Sequence, residues 1–544
     1  MQRRSHKKST PFVLFATFCG VALGTAYAAC SNSPTTGATT GTAGAAPGTA
    51  GAVSTGGGGA AATTGGNVGT AGVTTGGIAA GGTTGGAPVG GSAGTGTGGG
   101  SPTGPACKAG VTAVNGSGLT VKATDISAFT FVAKSPGIKM AYDPVGKVVV
   151  TVAQNGTLSS FDPNVTLPTT ASTAPVGTTK AYDSGGYAAE NGFGGDHRGI
   201  VFDSKGTLYI LAVRGGDNVG VSVKKGVLMA TGPARTWTVL VSTSAGFPAG
   251  GTNFDHSFSG LAVSPDDASL FFSSGSRTDH GEMEKGQGEV PLSSAVFKVP
   301  TATPTDMKND MAALAPVLFA DGTRNAFDMA FNAAGDLIGV DNGPDMDLPD
   351  EINWLQQGKN YGFPYRFGGT NNPVAEAGYS AAGDKRLHPG YQAVDTNKYV
   401  FDASLAPPAG AAFIDPIMNM GPDANIARAD KAADPAPVAA GLPGVTGHRS
   451  PLGIAFDVAG VSCGAYWKQG LVLSYGSVKA DALGDEGRDL LLLTLTKAGD
   501  KYTMTTKQIA KGIESPMDGI MVGNKFFTIG YGGAPMYVFA LPTP

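Results

Sequence analysis

The chain has 544 residues and a net charge of -4, and Asp, Glu, Lys and Arg together make up only 14% of it. Charge this dilute argues against a nucleic-acid partner, because phosphate binding needs clustered Lys and Arg. Its 86 glycines are unevenly spread, so the composition must be read segment by segment.

Arg3, Arg4, Lys7 and Lys8 form a basic start, and the apolar run from Pro11 to Leu23 is too short to span a bilayer comfortably. Residues 1–29 therefore read as an export signal, which puts the mature protein in a periplasm or on the outer cell surface. Ala26-Tyr27-Ala28 suits an ordinary signal peptidase, whereas Ala28-Ala29-Cys30 resembles a lipoprotein box and would attach the protein to a membrane through a lipidated Cys30. From Ser31 to Ala106 there is no Asp, Glu, Lys, Arg or aromatic residue. Such a segment cannot bury enough surface to offset its ordering entropy, so 30–106 is predicted to be a disordered Gly/Ala/Thr-rich linker. Of the four cysteines, Cys19 lies in the signal. Cys107 and Cys463 remain, either as one disulfide closing a very long loop or as two free thiols.

Residues 107–544 have ordinary globular composition and an internal repeat: an apolar strand, a turn with Asp, Gly or Asn, and a second apolar strand. Copies start at Met140, Gly199, Gly260, Met329, Gly453 and Gly519. The blade-sized spacing predicts an all-β fold, a six-bladed β-propeller of four-stranded blades. One interval is about twice the others. It holds a Pro-, Gly- and Asp-rich stretch from Tyr361 to Gly447 that reads as loops and insertions on one face.

Four polar segments each precede the first strand of a copy and are expected on one face of the ring: Gly194–Gly199, Asn253–Gly260, Gly322–Phe331 and Gly447–Gly453. His256, flanked by Asp255, has the chemistry of a general base near neutral pH, or of a structural hydrogen-bonding group. Arg324 is a fixed cation able to stabilise developing negative charge, or a partner in an inter-blade salt bridge. After the fourth copy comes NGPDMDLPDEINWLQQGKNYGFPYRFGG, in which Asp345, Asp347, Asp350 and Glu351 join the carbonyls of Gly343 and Pro344. Hard oxygen donors in a loop suit Ca2+ better than zinc or copper, though a solvated acidic turn has the same composition. His197, Arg198, His448 and Arg449 are placed to line the same channel, while His280 sits past a strand and His388 lies in the insertion. The sequence has no P-loop, dinucleotide fingerprint or nucleophile elbow.

Taken together, DHSFSGLAVSPDDASLFFSSGSR, TRNAFDMAFNAAGDLIGVDNGP, DEINWLQQGKNYGFP and HRSPLGIAF followed by LVLSYGS resemble the quinoprotein glucose and sorbosone dehydrogenases. These are six-bladed propellers that bind pyrroloquinoline quinone with Ca2+. The resemblance implies a sugar dehydrogenase acting on a CH–OH group and passing electrons to a respiratory acceptor. It makes His256 the base and assigns cofactor contacts to Arg324, Asn325, His448, Arg449 and Lys479. It gives the metal to the carbonyls of Gly343 and Pro344, with Asp350, Glu351 and Tyr361 holding the loop or a second Ca2+. The chain departs from the pattern by two extra residues between Gly343-Pro344 and Asp350-Glu351. In its last blade, KGIESPMDGIMV offers no arginine where quinone-binding relatives have them. Two other readings share the fold: a non-catalytic cell-surface propeller that binds glycan or protein, and a Ca2+-dependent lactonase-type hydrolase.

Overall fold

The computed structural model describes residues 104–230, 232, 234–252, 256–476 and 483–544. The export signal and nearly all of the linker, with Cys30, lie outside the described residues, as do Asp255 and Lys479. Ordered contacts begin slightly before Cys107, since the Pro105 carbonyl accepts a hydrogen bond from the Gly464 amide.

Each repeat copy is an antiparallel hairpin, and in three of them one side chain sets the turn. Asp143 Oδ1 accepts the amides of Val145 and Gly146, Asp203 Oδ1 those of Lys205 and Thr207, and Asn332 Oδ1 those of Ala334 and Asp336. A residue in the left-handed region completes the turn in these three copies: Lys147, Gly206 and Gly335. The flanking strands are apolar and pack sheet against sheet, as in the Phe131–Phe161–Phe527 contact between the last sheet and the first.

The first sheet is Lys139–Asp143, Val148–Val152, Leu158–Phe161 and Lys180–Ala181. The second runs Asp196–Phe202, Leu208–Arg214, Gly220–Leu228 and Arg235–Ala245, with Thr305–Lys308 added at its edge. The third is Phe258–Val263, Ser269–Ser274, Ala295–Pro300 and Leu318–Asp321, extended by Lys359–Asn360. The fourth has only Ala326–Phe331, Leu337–Asp341 and Glu351–Leu355. The fifth is built on Pro451–Phe456, Gly470–Ser474, Asp489–Ala498 and Lys501–Lys511. The sixth joins Pro516–Val522, Lys525–Gly530 and Met536–Ala540 to Ser127–Val132 from the other end of the chain. First strands pack side by side in chain order, and Pro516–Val522 returns against Lys139–Asp143, which makes the fold an all-β propeller.

Five of these sheets are blades of four or more strands, so the expected count of six four-stranded blades is not met. The fourth sheet stops at three strands because the chain leaving Leu355 pairs elsewhere. Its Lys359–Asn360 segment runs parallel to Leu318–Asp321 at the edge of the preceding blade.

Cys107 and Cys463 form a disulfide across 356 residues of sequence, tying the segment before the first strands to the fifth sheet. Closing so long a loop restricts the unfolded chain, so Cys107→Ser with Cys463→Ser is expected to lower stability by about 2–5 kcal/mol in denaturant titration.

Candidate active site

The polar segments that lead into the first strands meet at one end of the ring. The amide of His256 donates to the Ser276 carbonyl (2.8 Å), the Ser276 amide to the Arg324 carbonyl (2.7 Å), and the Asn342 amide to the Asn325 carbonyl (3.2 Å). His256 is half-buried, and its Nδ1 lies 3.2 Å from Ser276 Oγ. Ser276 Oγ has a single hydrogen and gives it to the Thr278 carbonyl (2.7 Å), so it can only accept from His256. That makes Nδ1 the protonated nitrogen and leaves the Nε2 lone pair available. Burial first, then the Arg324 cation, holds the His256 pKa well below the ordinary imidazole value, so the ring is neutral at neutral pH.

Arg324 is held at all three of its nitrogens. Its Nε donates to the Asp279 carbonyl (2.7 Å), Nη2 to Asp279 Oδ1 (2.9 Å) and Nη1 to the Asn342 carbonyl (3.1 Å). Asp279 is the hub of the site. It also accepts from the Asp345 amide (3.0 Å), from His280 Nδ1 (3.1 Å) and from the Tyr399 hydroxyl (2.6 Å). Burial pushes its pKa up, but His280, Arg324 and Tyr399 together hold it well below the usual carboxylate range. The His280 and Tyr399 rings stack at 4.1 Å, and Glu282 Oε2 lies 3.3 Å from the same His280 Nδ1 that faces Asp279.

The acidic loop is folded inward, not solvated. Asp341 accepts the amides of Arg324 and Asn325, Asp350 those of Gly343 (2.6 Å) and Ser450 (2.8 Å), and Glu351 that of Gly368 (2.7 Å) plus Asn353 Nδ2 (2.8 Å). Burial raises all three pKa values, to about 7 for Asp341 and about 8 for Glu351; Asp350 raises Asp341 further, and both raise Glu351. The carboxylates of Asp350 and Glu351 thus hold the loop. They do not converge as a ligand set, and among the described residues no group of three or more His, Cys, Asp and Glu does. Tyr361 also departs from the expected metal role, because its hydroxyl donates to the Trp354 carbonyl (2.5 Å) and accepts from the Gln356 amide (2.9 Å), stapling the turn after the fourth sheet. Beside Gly343 and Pro344, Asn342 Oδ1 is buried with no hydrogen-bond partner. An unmatched buried oxygen among carboxylates fits a hard cation.

Two further assignments are corrected. Arg449 is buried between Asp485 and Asp489, whose charges raise its pKa, so its guanidinium serves the fifth blade instead of facing a ligand. His448 donates through Nε2 to Asp347 Oδ1 (2.9 Å) and stacks on Tyr391 at 4.7 Å. Asp347 is completed by His388 Nε2 (2.7 Å) and Arg428 Nε (2.8 Å), both from the insertion. The two-residue expansion of the acidic loop is thereby explained. Met346 is wholly buried in the insertion's apolar cluster and Asp347 collects its cations. His197 is likewise structural, with Nδ1 on the Gln154 carbonyl (2.8 Å) and Nε2 accepting from Tyr187 (2.9 Å). Sequence reading missed Asp279, Ser276 and Tyr399. The polar run GSRTDHGE was the only signal for the first two, and Tyr399 stands in an insertion with no motif.

Family comparison adds a match to a model described as glucose/sorbosone dehydrogenase over residues 134–424, more than half of the chain. No curated protein matches. Solved structures with a similar fold include the soluble aldose sugar dehydrogenase of Escherichia coli in its apo form (14% identity, 76% of this chain and 99% of that one, TM-score 0.47). Another is the pyrroloquinoline quinone domain of the Coprinopsis cinerea pyranose dehydrogenase in its holo form (10%, 78% and 100%, 0.49). A third is the pyrroloquinoline quinone-bound aldose sugar dehydrogenase of Streptomyces coelicolor (15%, 76% and 98%, 0.42).

Two outcomes follow from the buried carboxylates. Tyr399→Phe removes one donor from Asp279 and is expected to cost about 1–3 kcal/mol of stability in chemical unfolding. The Asp347 clasp should depend on pH from both sides. The depressed Asp347 pKa stabilises above the unfolded carboxylate value and is lost as pH falls through the folded one, while the raised His448 pKa stabilises below the unfolded imidazole value and is lost as pH rises through the folded one. Amide protection in the insertion, taken relative to the intrinsic exchange rate, should therefore be greatest between about pH 4 and 6.5 and fall on the alkaline side, a fall that His448→Gln abolishes.

Proposed function

Because the chain belongs to the glucose/sorbosone dehydrogenase family, we propose that it oxidises the anomeric or aldehyde carbon of a sugar with pyrroloquinoline quinone and Ca2+. The observation that carries this reading is the neutral His256, whose tautomer is set by Ser276 and whose Nε2 lone pair is available at the mouth of the ring. In this reading His256 Nε2 takes the proton of the sugar hydroxyl while the hydrogen on the same carbon leaves as hydride. The quinone, polarised by Ca2+ when both are bound, supplies the two-electron acceptor. Gly343 and Pro344 would offer carbonyls to the metal, with Asn342 Oδ1 as a further oxygen, and Arg324 with Asn325 would meet the reduced cofactor's oxygens. Asp279 keeps Arg324 rigid, so its charge is in place before the reaction begins.

The basic start of the chain and Cys30 support export and lipid attachment, with a respiratory acceptor taking the electrons. The three-stranded sheet reads as a shortened sixth blade. A tethered binding module would not need a base with a set tautomer, so the oxidoreductase reading uses more of the site.

Full-length protein supplied with pyrroloquinoline quinone and Ca2+ is expected to retain the quinone absorbance through gel filtration and to reduce an artificial dye with an aldose. His256→Ala should lower dye reduction by at least about 100-fold while quinone affinity stays within a few fold. Unchanged turnover in that variant would remove His256 from the role of base. The acid limb of kcat/KM should lie below the ordinary imidazole pKa of about 6.5.

A further inference from the structure

The insertion that packs on the site holds a cavity of its own, of about 660 Å³, walled by residues from 379–389 and 394–401. That volume lies within the range of pockets that hold drug-sized ligands. Tyr399 lines the cavity and also belongs to the hub of the site. Its hydroxyl donates to Asp279 Oδ2 (2.6 Å) and its ring stacks on His280. Asp279 in turn lies close enough to His256 for its charge to act on the imidazole. A ligand held in the cavity therefore sits beside the mouth where a reacting carbon would meet the base.

The wall combines two kinds of surface. Val400 and Phe401 are 59% and 49% exposed, unusual for large apolar side chains. They do not stand on a loose rim, because the Val400 amide donates to the Lys398 carbonyl (2.9 Å) and the Asp402 amide to the Val374 carbonyl (2.9 Å). An aromatic ring braced in contact with water is a preformed surface for a ligand to cover. The polar part is uncharged on balance. Tyr379 Oη is buried with no hydrogen-bond partner. Asp384 is near enough to raise the pKa of that hydroxyl, but Arg386 Nε and Nη2 already bond both oxygens of the carboxylate (2.9 and 2.7 Å). Among the described residues of the wall Asp384 is the only charged one, and Asn397 adds an exposed amide. A sugar ring has matching surfaces: a C–H face that covers an aromatic ring and hydroxyls that bond neutral polar groups. A wholly apolar ligand would leave the Tyr379 hydroxyl unmet.

Resting on the sugar-oxidising reading above, we propose that this cavity is a subsite for the non-reacting units of an oligosaccharide, whose reducing-end unit is the one oxidised. Phe401 bears the face of a sugar ring, and Tyr379 and Asn397 bond its hydroxyls. Binding energy from these remote units then serves to position the reacting unit.

The test begins with calorimetric titration of the full chain, without cofactor, by maltotriose, cellotriose and glucose. Dye reduction with the same sugars follows once pyrroloquinoline quinone and Ca2+ are supplied. At least one trisaccharide is expected to bind about tenfold or more tightly than glucose, and to show the lower KM. Phe401→Ala should weaken that trisaccharide by about tenfold, and Tyr379→Phe, which keeps the ring, by about fivefold. Phe401 is half exposed, so its truncation should leave thermal unfolding at the wild-type midpoint. Trisaccharides bound no more tightly than glucose overturn the proposal, as does a preference that survives Phe401→Ala. A trisaccharide preference that Phe401→Ala removes, in a protein that oxidises none of these sugars, keeps the cavity as a sugar site and overturns the oxidising reading instead.

Discussion

Closure of the ring is the constraint on which the site depends. Ser127–Val132, from the start of the folded part, pairs antiparallel with Met536–Ala540 at its end, so the last sheet is completed by both ends of the chain. Buried carboxylates reinforce the seam from inside. Asp518 Oδ2 accepts the Met140 amide (2.8 Å) across the last-to-first junction, and Asp328 Oδ2 accepts the Ile454 amide (3.2 Å) between the fourth sheet and the fifth. Once the first strands are held in a circle, residues hundreds of positions apart share one floor, as Phe327, Leu452 and Met517 do.

Above that floor the organising groups are acids whose negative charge is balanced locally. Asp279 gathers Arg324, His280 and Tyr399; Asp347 gathers His448, His388 and Arg428; Asp350 and Asp341 are satisfied by backbone amides. Burying a carboxylate is costly unless it is paired and hydrogen-bonded, so each of these acids specifies its surroundings. Two of these four acids, Asp279 and Asp347, reach into the insertion, which packs on the site as part of its wall. The acidic loop is thus part of the foundation on which 372–405 is laid.

The hairpin repeat was legible because it rests on local rules: alternating apolar strands, an Asp or Asn that caps its own turn, and a left-handed residue after it. The family signature was legible for the same reason, in contiguous runs such as DEINWLQQGKNYGFP. The missing fourth strand of the fourth sheet was not legible, since Lys359–Asn360 could pair with either neighbour and only packing chooses the third sheet. Nor were Arg449 and His448 correctly placed. Both stand where a ligand contact is plausible, and only the fold shows that Asp485, Asp489 and Asp347 already hold them.

What the sequence by itself determined is the all-β repeat, the site-bearing end of the ring and the chemistry available there: an imidazole, a guanidinium and carbonyl oxygens. Each follows from residues close together in the chain. What only the tertiary structure decided is which charges are already matched. The tautomer of His256 and the engagement of Arg324 by Asp279 depend on groups that only folding brings together. Whether a buried charge is balanced depends on neighbours brought within a few ångströms by folding, and that proximity is not written in any single stretch of sequence.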